Sequence, residues 1–205
     1  MVKRTIEKLN TNPGSVYSFS LVFIAAALSL VAAFVLSTEA IYLAQNPGAV
    51  LSCDVNAVIS CGAVAAHPSS TLFGFPNSFV GMMALPVFIS LAVFVLAGVR
   101  FPRWIMRGAQ IGADLSLLFA GWMFYTSYVV IGALCPWCLV VSFSTVVLWF
   151  ALTRFNVIHR NLFLAGKAED WVRSVVKKDY DKLAMWLVIV LMVVAIIAKY
   201  GRDLL

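Results

Sequence analysis

Four cysteines are the residues of this chain whose types and spacing can do chemistry. They fall into two groups, Cys53 with Cys61 and Cys135 with Cys138. The second group reads Cys135-Pro136-Trp137-Cys138. Proline suits the first position of a helix, where its missing N–H costs nothing. Cys135 then becomes the cap residue, and Cys138 lies one turn in on the same face. Sulfurs placed there meet the unpaired N–H groups and positive end of the helix, which favour thiolate over thiol. A lowered thiol pKa gives a better leaving group and a more reactive dithiol. The chemistry is thiol–disulfide exchange, and two groups on one side invite passage of electrons between them. Four cysteines permit three pairings, and the spacing leaves the choice open. Inert disulfides and a structural zinc are the alternatives. No metal site is expected, because the Cys53-to-Cys61 spacing suits zinc poorly and His67 and His159 fall on opposite sides of the chain's spans.

The elements that must hold these sulfurs follow from composition. Of 205 residues, 62% are apolar and 12% charged, against about 45–50% and about 25% in a soluble domain. Too few charges remain to coat a water-facing surface, so the expected fold is an all-α integral membrane protein. Charge-free apolar runs predict five spans: Phe19 to Tyr42, Ser78 to Val99, Ile111 to Leu134, Pro136 to Leu152 and Leu183 to Ala198. The first run is too long for a cleaved signal peptide and is expected to stay in the mature chain.

Basic residues orient the spans. Apart from Lys199 and Arg202, every Lys and Arg precedes span one or joins spans two to three or four to five. That side is therefore assigned to the cytoplasm. The loop from Leu43 to Asn77 and the turn before Cys138 carry no Lys or Arg, so all four cysteines are expected outside, where thiols become disulfides. The expected setting is the cytoplasmic membrane, with the N-terminus inside and the C-terminus outside. The net charge of +6 then reflects topology rather than nucleic-acid binding.

Four regions follow: a cytoplasmic tail over 1–18, a core over 19–155 with its external loop at 43–77, a connector over 156–182, and span five with a short tail over 183–205. In the connector, Glu169 to Lys182 predicts one amphipathic helix on the cytoplasmic membrane surface, touching lipid, with Glu169 and Arg173 paired at i,i+4. In the loop, Asn56 to Ala66 reads as a short helix and Pro68 to Pro76 as a turn-rich return. Asn77 or Ser78 is expected to cap span two. Asp54 reads as a solvated loop charge. Glu39 and Asp114 lie near span ends, where interfacial water suffices or a proton path is served.

The segment Cys53-Asp54-Val55-Asn56-Ala57-Val58-Ile59-Ser60-Cys61, then Phe75-Pro76-Asn77-Ser78-Phe79-Val80-Gly81, then Cys135-Pro136-Trp137-Cys138, resembles the vitamin K epoxide reductase family. The resemblance covers about Phe19 to Leu152 and is greatest to bacterial members that act in disulfide-bond formation. It implies a four-helix transmembrane bundle around a quinone (menaquinone or ubiquinone), with a fifth helix beside it. It implies that Cys53 meets an external thiol protein, Cys61 attacks Cys135, and Cys138 faces the quinone. Asn77 corresponds to the asparagine that hydrogen-bonds a quinone carbonyl. Phe79, Trp122, Tyr125 and Trp137 lie at a depth that suits a quinone pocket. Relatives often carry a fused thioredoxin-like domain; here a separate DsbA-like protein of thioredoxin fold, on the outer side, is the expected partner. The aromatic position that vertebrate enzymes carry after the second CxxC cysteine is not matched, since Ser142 stands there. The expected activity is reoxidation of that partner with delivery of two electrons to a membrane quinone. The alternatives are a reductase of vitamin K epoxide or quinone with other thiol donors, and a non-enzymatic scaffold with structural disulfides.

Overall fold

The computed structural model describes residues 13–56, 58–162 and 166–204. The cytoplasmic tail expected over 1–18 therefore lies mostly outside the described residues. The helices are α1 (Pro13–Gln45), α2 (Cys61–Ala66), α3 (Ser78–Leu96), α4 (Arg103–Tyr125), α5 (Pro136–Ile158), α6 (Lys167–Lys177) and α7 (Tyr180–Leu204). A 3₁₀ turn at Pro68–Thr71 follows α2, and a π-helical turn at Thr126–Ile131 prolongs α4. Among the described residues, five helices are long and apolar enough to cross a membrane: Gly14–Gln45, Ser78–Leu96, Arg103–Ile131, Pro136–Ile158 and Tyr180–Gly201. The protein is an all-α, multi-pass chain.

Most of these helices outrun the expected spans. The backbone of an apolar slab must close its hydrogen bonds within the helix, so a helix continues past the last apolar residue. Arg103, Arg107 and Arg154 are consequently helical rather than loop residues, and long basic side chains reach the interface by snorkelling. The connector departs further from expectation. It is not one helix from Glu169 to Lys182: α6 stops at Lys177, Asp179 takes a left-handed φ of 60°, and α7 starts at Tyr180. Aspartate tolerates that conformation better than most residues, and its carboxylate is held there by Arg154 at 2.7 Å and Lys182 at 3.1 Å. Glu169 pairs with Arg160 at 3.1 Å rather than with Arg173. The inward face of α6 is as expected in kind, with Val176 buried and Val172 and Val175 half-buried.

α1 packs along α3 and α5, α5 packs along α4, and α7 lies against α5. Their common core joins Phe19, Val22, Ala25 and Ala26 of α1 to Phe88, Leu91 and Ala92 of α3, Met106 and Ala113 of α4, and Leu148, Ala151 and Leu152 of α5. Alanines at these contacts let backbones approach, which is how helices gain dispersion energy without a hydrophobic drive between them. The buried residues of α3 lie in its second half, toward the basic end. A second cluster sits at the opposite end and contains Leu51, Cys53, Cys61, Val64, Ala133 and Cys135.

Candidate functional site

The sulfur cluster is assembled by three local devices. The first is Asp54, whose carboxylate accepts from the N–H of Leu51, the N–H of Gly62 and the hydroxyl of Ser60, each at 2.8 Å. This is not the solvated loop charge expected from sequence. Burial works to raise its pKa, but the N–H groups of Gly62 and Leu51, the Ser60 hydroxyl and the Cys61 N–H outweigh it and hold the carboxyl below its ordinary value. A Cβ at Gly62 would stand 2.8 Å from an Asp54 oxygen, so only glycine lets the carboxylate reach the start of α2.

The second device is a short parallel pairing between Ile59 and Leu134. Leu134 N–H donates to Val58 C=O at 2.6 Å, and Ser60 N–H donates to Leu134 C=O at 3.1 Å. The helix expected over Asn56 to Ala66 is thereby restricted to Cys61–Ala66. Its cap is Ser60, which accepts from Ala63 N–H, while Asn56 accepts from the N–H groups of Val58 and Ile59 in a turn. An extended strand at Ile59 sets Cys61 beside the residue that follows Leu134.

The third device is the helix start itself. α4 leaves its π-helical turn through Gly132, whose φ of 74° disfavours any L side chain, and Ser127 Oγ donates to Ala133 C=O at 2.5 Å. Cys135 then caps α5 in an extended conformation, with Pro136 next and the Cys138 N–H donating to Cys135 Sγ at 3.3 Å. The geometry expected of the Cys-Pro-Trp-Cys segment is present.

Together these devices bring all four cysteines into one group. Cys53 and Cys61 form a disulfide with Cα atoms 5.7 Å apart, while Cys135 and Cys138 are free thiols. Cys135 Sγ lies 3.2 Å from Cys61 Sγ, and both residues are at most 2% exposed. The Cys138 thiol beside it holds the Cys135 pKa below the ordinary thiol value against the effect of burial, aided by the N–H groups of Cys138 and Trp137. Trp137 and Cys138 pack against the same cluster.

The remaining sequence-derived residues divide. Asn77 stands at the cap position of α3 but makes no cap bond there, and the Ser78 hydroxyl bonds Ser37 at 2.9 Å. The Asn77 amide instead accepts from Leu72 N–H and donates to Ser69 C=O at 2.6 Å, with Met123 Sδ of α4 at 3.7 Å. Phe79 begins a run of ring contacts through Phe75, Phe73 and Phe119 to Trp122, so those two expected residues mark its ends. Tyr125 is 58% exposed and stands outside that run.

Glu39, near the end of α1, sits with its carboxylate oxygens 3.4 Å and 3.5 Å from Cys53 Sγ, and Ser52 Oγ donates to it at 3.0 Å. Glu39, Cys53 and Cys61 are thus mutually close. With both sulfurs joined to each other, they lack the thiolate that binds metal. The Asp54 hub, the Ile59–Leu134 pairing and the Glu39 contact are what sequence reasoning missed. A signal existed for Glu39, since a first helix extending past Tyr42 carries its end to the level of the returning loop.

Two half-sites of sulfur at contact distance, one closed and one open, can exchange a disulfide. No curated protein matches this chain. Residues 20–153 match the vitamin K epoxide reductase family, and the chain belongs to that family.

Proposed function

We propose that this protein is a membrane thiol:quinone oxidoreductase that regenerates the disulfide of an extracytoplasmic, DsbA-like protein of thioredoxin fold. The observation that carries the reading is the 3.2 Å approach of Cys61 Sγ to Cys135 Sγ. Cys53 is the entry point. A partner thiol, losing its proton, attacks Cys53 Sγ, the Cys53–Cys61 bond breaks, and the electron pair leaves on Cys61. The Cys61 thiolate attacks Cys135 of a Cys135–Cys138 disulfide, and the pair passes to Cys138. The partner's second thiol then releases Cys53. Closing a Cys53–Cys61 disulfide returns Cys135 as the leaving thiolate, a role eased by its lowered pKa. A closed loop pair beside a reduced helix pair, as described above, is the arrangement such an internal transfer would leave, and it supports the reading.

A bound quinone supplies a two-electron, two-proton sink. The residues present fit such a ring. Asn77 spends one amide hydrogen on Ser69 C=O and faces a thioether with the amide nitrogen; a thioether is a weak acceptor that a carbonyl oxygen readily replaces. Phe79, Trp122 and Trp137 offer flat apolar faces, and Tyr125 an exposed one. The core over 19–155 is proposed as the catalytic unit, four transmembrane helices around this ring, with α7 beside it. The proposed orientation keeps the basic end cytoplasmic and the sulfur end outside. The proposed acceptor is a membrane quinone, menaquinone or ubiquinone.

The test is anaerobic reduction of a soluble quinone analogue by purified protein with dithiothreitol as donor. Quinol formation that requires Cys53, Cys61, Cys135 and Cys138 individually supports the reading. Absence of thiol-dependent quinol formation overturns it.

A further inference from the structure

We infer that Glu39 is the proton carrier of the outer exchange, taking the proton of the incoming thiol at Cys53 and returning it to Cys53 when the partner departs. The inference rests on the thiol-oxidase reading and adds a catalytic residue to it. Three observations carry it. Glu39 is placed by α1, a rigid element, rather than by the loop that bears Cys53. Both carboxylate oxygens face Cys53 Sγ, Oε1 at 3.5 Å and Oε2 at 3.4 Å, and Oε1 also accepts from Ser52 Oγ. That sulfur is closed in a disulfide and has no proton to give, so among the described residues Oε2 has no donor at the atom where a thiol must arrive. A general base has to stand within reach of the proton it takes, and geometry is the first criterion.

Asp54, a carboxylate of the loop itself, does not compete for this role. Its oxygens are spent on Leu51, Gly62 and Ser60. The groups that bear electrostatically on Glu39 or feel its charge are Asp54, Cys135 and Cys138.

The balance is as follows. The partner's first thiol gives its proton to Glu39, and its sulfur bonds to Cys53 while the Cys53–Cys61 bond breaks and Cys61 leaves as thiolate. The partner's second thiol loses its proton to water and bonds to the partner's first sulfur. The bond to Cys53 breaks, its electron pair stays on Cys53, and Glu39 protonates it. The partner dithiol is oxidised by two electrons and the loop pair is reduced by two.

The experiment compares wild type with Glu39→Gln, Glu39→Asp and Ser52→Ala in two assays at neutral pH. One follows dithiothreitol-dependent quinol formation; the other follows a single turnover in which prereduced protein is mixed with the quinone analogue alone. Glu39→Gln is expected to slow the first assay by at least roughly tenfold and to leave the second at the wild-type rate. Glu39→Asp keeps the carboxylate and recovers part of the loss, and Ser52→Ala, which removes the hydrogen bond to Oε1, is expected to slow the first assay by less than Glu39→Gln does. Wild-type turnover by Glu39→Gln overturns the inference, as do equal losses in Glu39→Gln and Glu39→Asp, which indicate a packing role. A wild-type protein that reduces no quinone in either assay refutes the oxidase reading instead.

Discussion

At the scale of single residues, two side chains decide how the sulfurs behave. Cys135 stands between Cys61 and Cys138, and removal of both outer cysteines, Cys53 and Cys138, should strand the inner pair. In the double variant Cys53→Ala, Cys138→Ala, no thiol remains to resolve a Cys61–Cys135 disulfide once an added oxidant such as diamide has formed it. That disulfide is therefore expected to accumulate, detectable as a linked peptide by mass spectrometry after alkylation. The Cys135 pKa is also expected to rise in this variant before oxidation, because the Cys138 thiol is the main agent that lowers it. Asp54 fixes the loop instead. Its folded pKa is depressed, so its stabilising effect is full above the ordinary aspartate value of about 3.9 and is lost as pH falls through the lower folded value. Asp54→Asn turns an amide N–H₂ toward one of the N–H donors, at a cost of about 1–3 kcal/mol. Thermal unfolding against pH should show a lower midpoint for the variant at neutral pH and a narrowing gap under acid. Of these two residues, Cys135 was legible from its tetrapeptide. Asp54 was not, because its partners at Leu51, Ser60 and Gly62 meet only once the loop has closed.

At the scale of elements, the sequence predicts what periodicity and end signals control. The apolar runs and Pro136 located the spans and the start of α5, since those signals act within one helix. The Ile59–Leu134 pairing joins segments far apart in the chain, and nothing local to either announces it. The π-helical turn is another such element. It leads to Cys135, and α7 steadies it: Tyr200 Oη donates to Tyr128 C=O at 2.8 Å, Lys199 Nζ donates to the same carbonyl, and Tyr128 Oη donates to Ala195 C=O at 3.1 Å. Lys199 also lies over the Tyr128 ring, 4.5 Å from its centroid. Tyr200→Phe removes one of these bonds at about 1 kcal/mol. Its expected effect is local: faster amide exchange at Gly132 and Ala133, and slower reoxidation of the Cys53–Cys61 pair by quinone. Unchanged exchange at both amides would mean that the turn holds its shape without α7.

At the scale of the whole molecule, α7 lies outside the 20–153 region that defines the family, yet it is fastened at both ends. At the basic end, Arg154 of α5 bonds both Asp181 oxygens at 2.7 Å and 2.8 Å and Asp179 at 2.7 Å. Arg154 and Asp181 are mostly buried, so Arg154→Met would leave a carboxylate without its counter-ion. Breaking such a pair costs about 3 kcal/mol, because the stranded charge keeps its desolvation penalty. The sulfur cluster, however, is assembled from residues 39–62 and 127–138, at the opposite end. Stability and turnover should therefore separate. Arg154→Met is expected to lower the unfolding midpoint substantially while keeping most of the quinol formation supported by dithiothreitol, measured below that midpoint. Tyr200→Phe should show the reverse, a small loss of stability and a larger loss of turnover. Equal loss of both properties in both variants would show that α7 acts as a single rigid strut, with no division of labour between its ends.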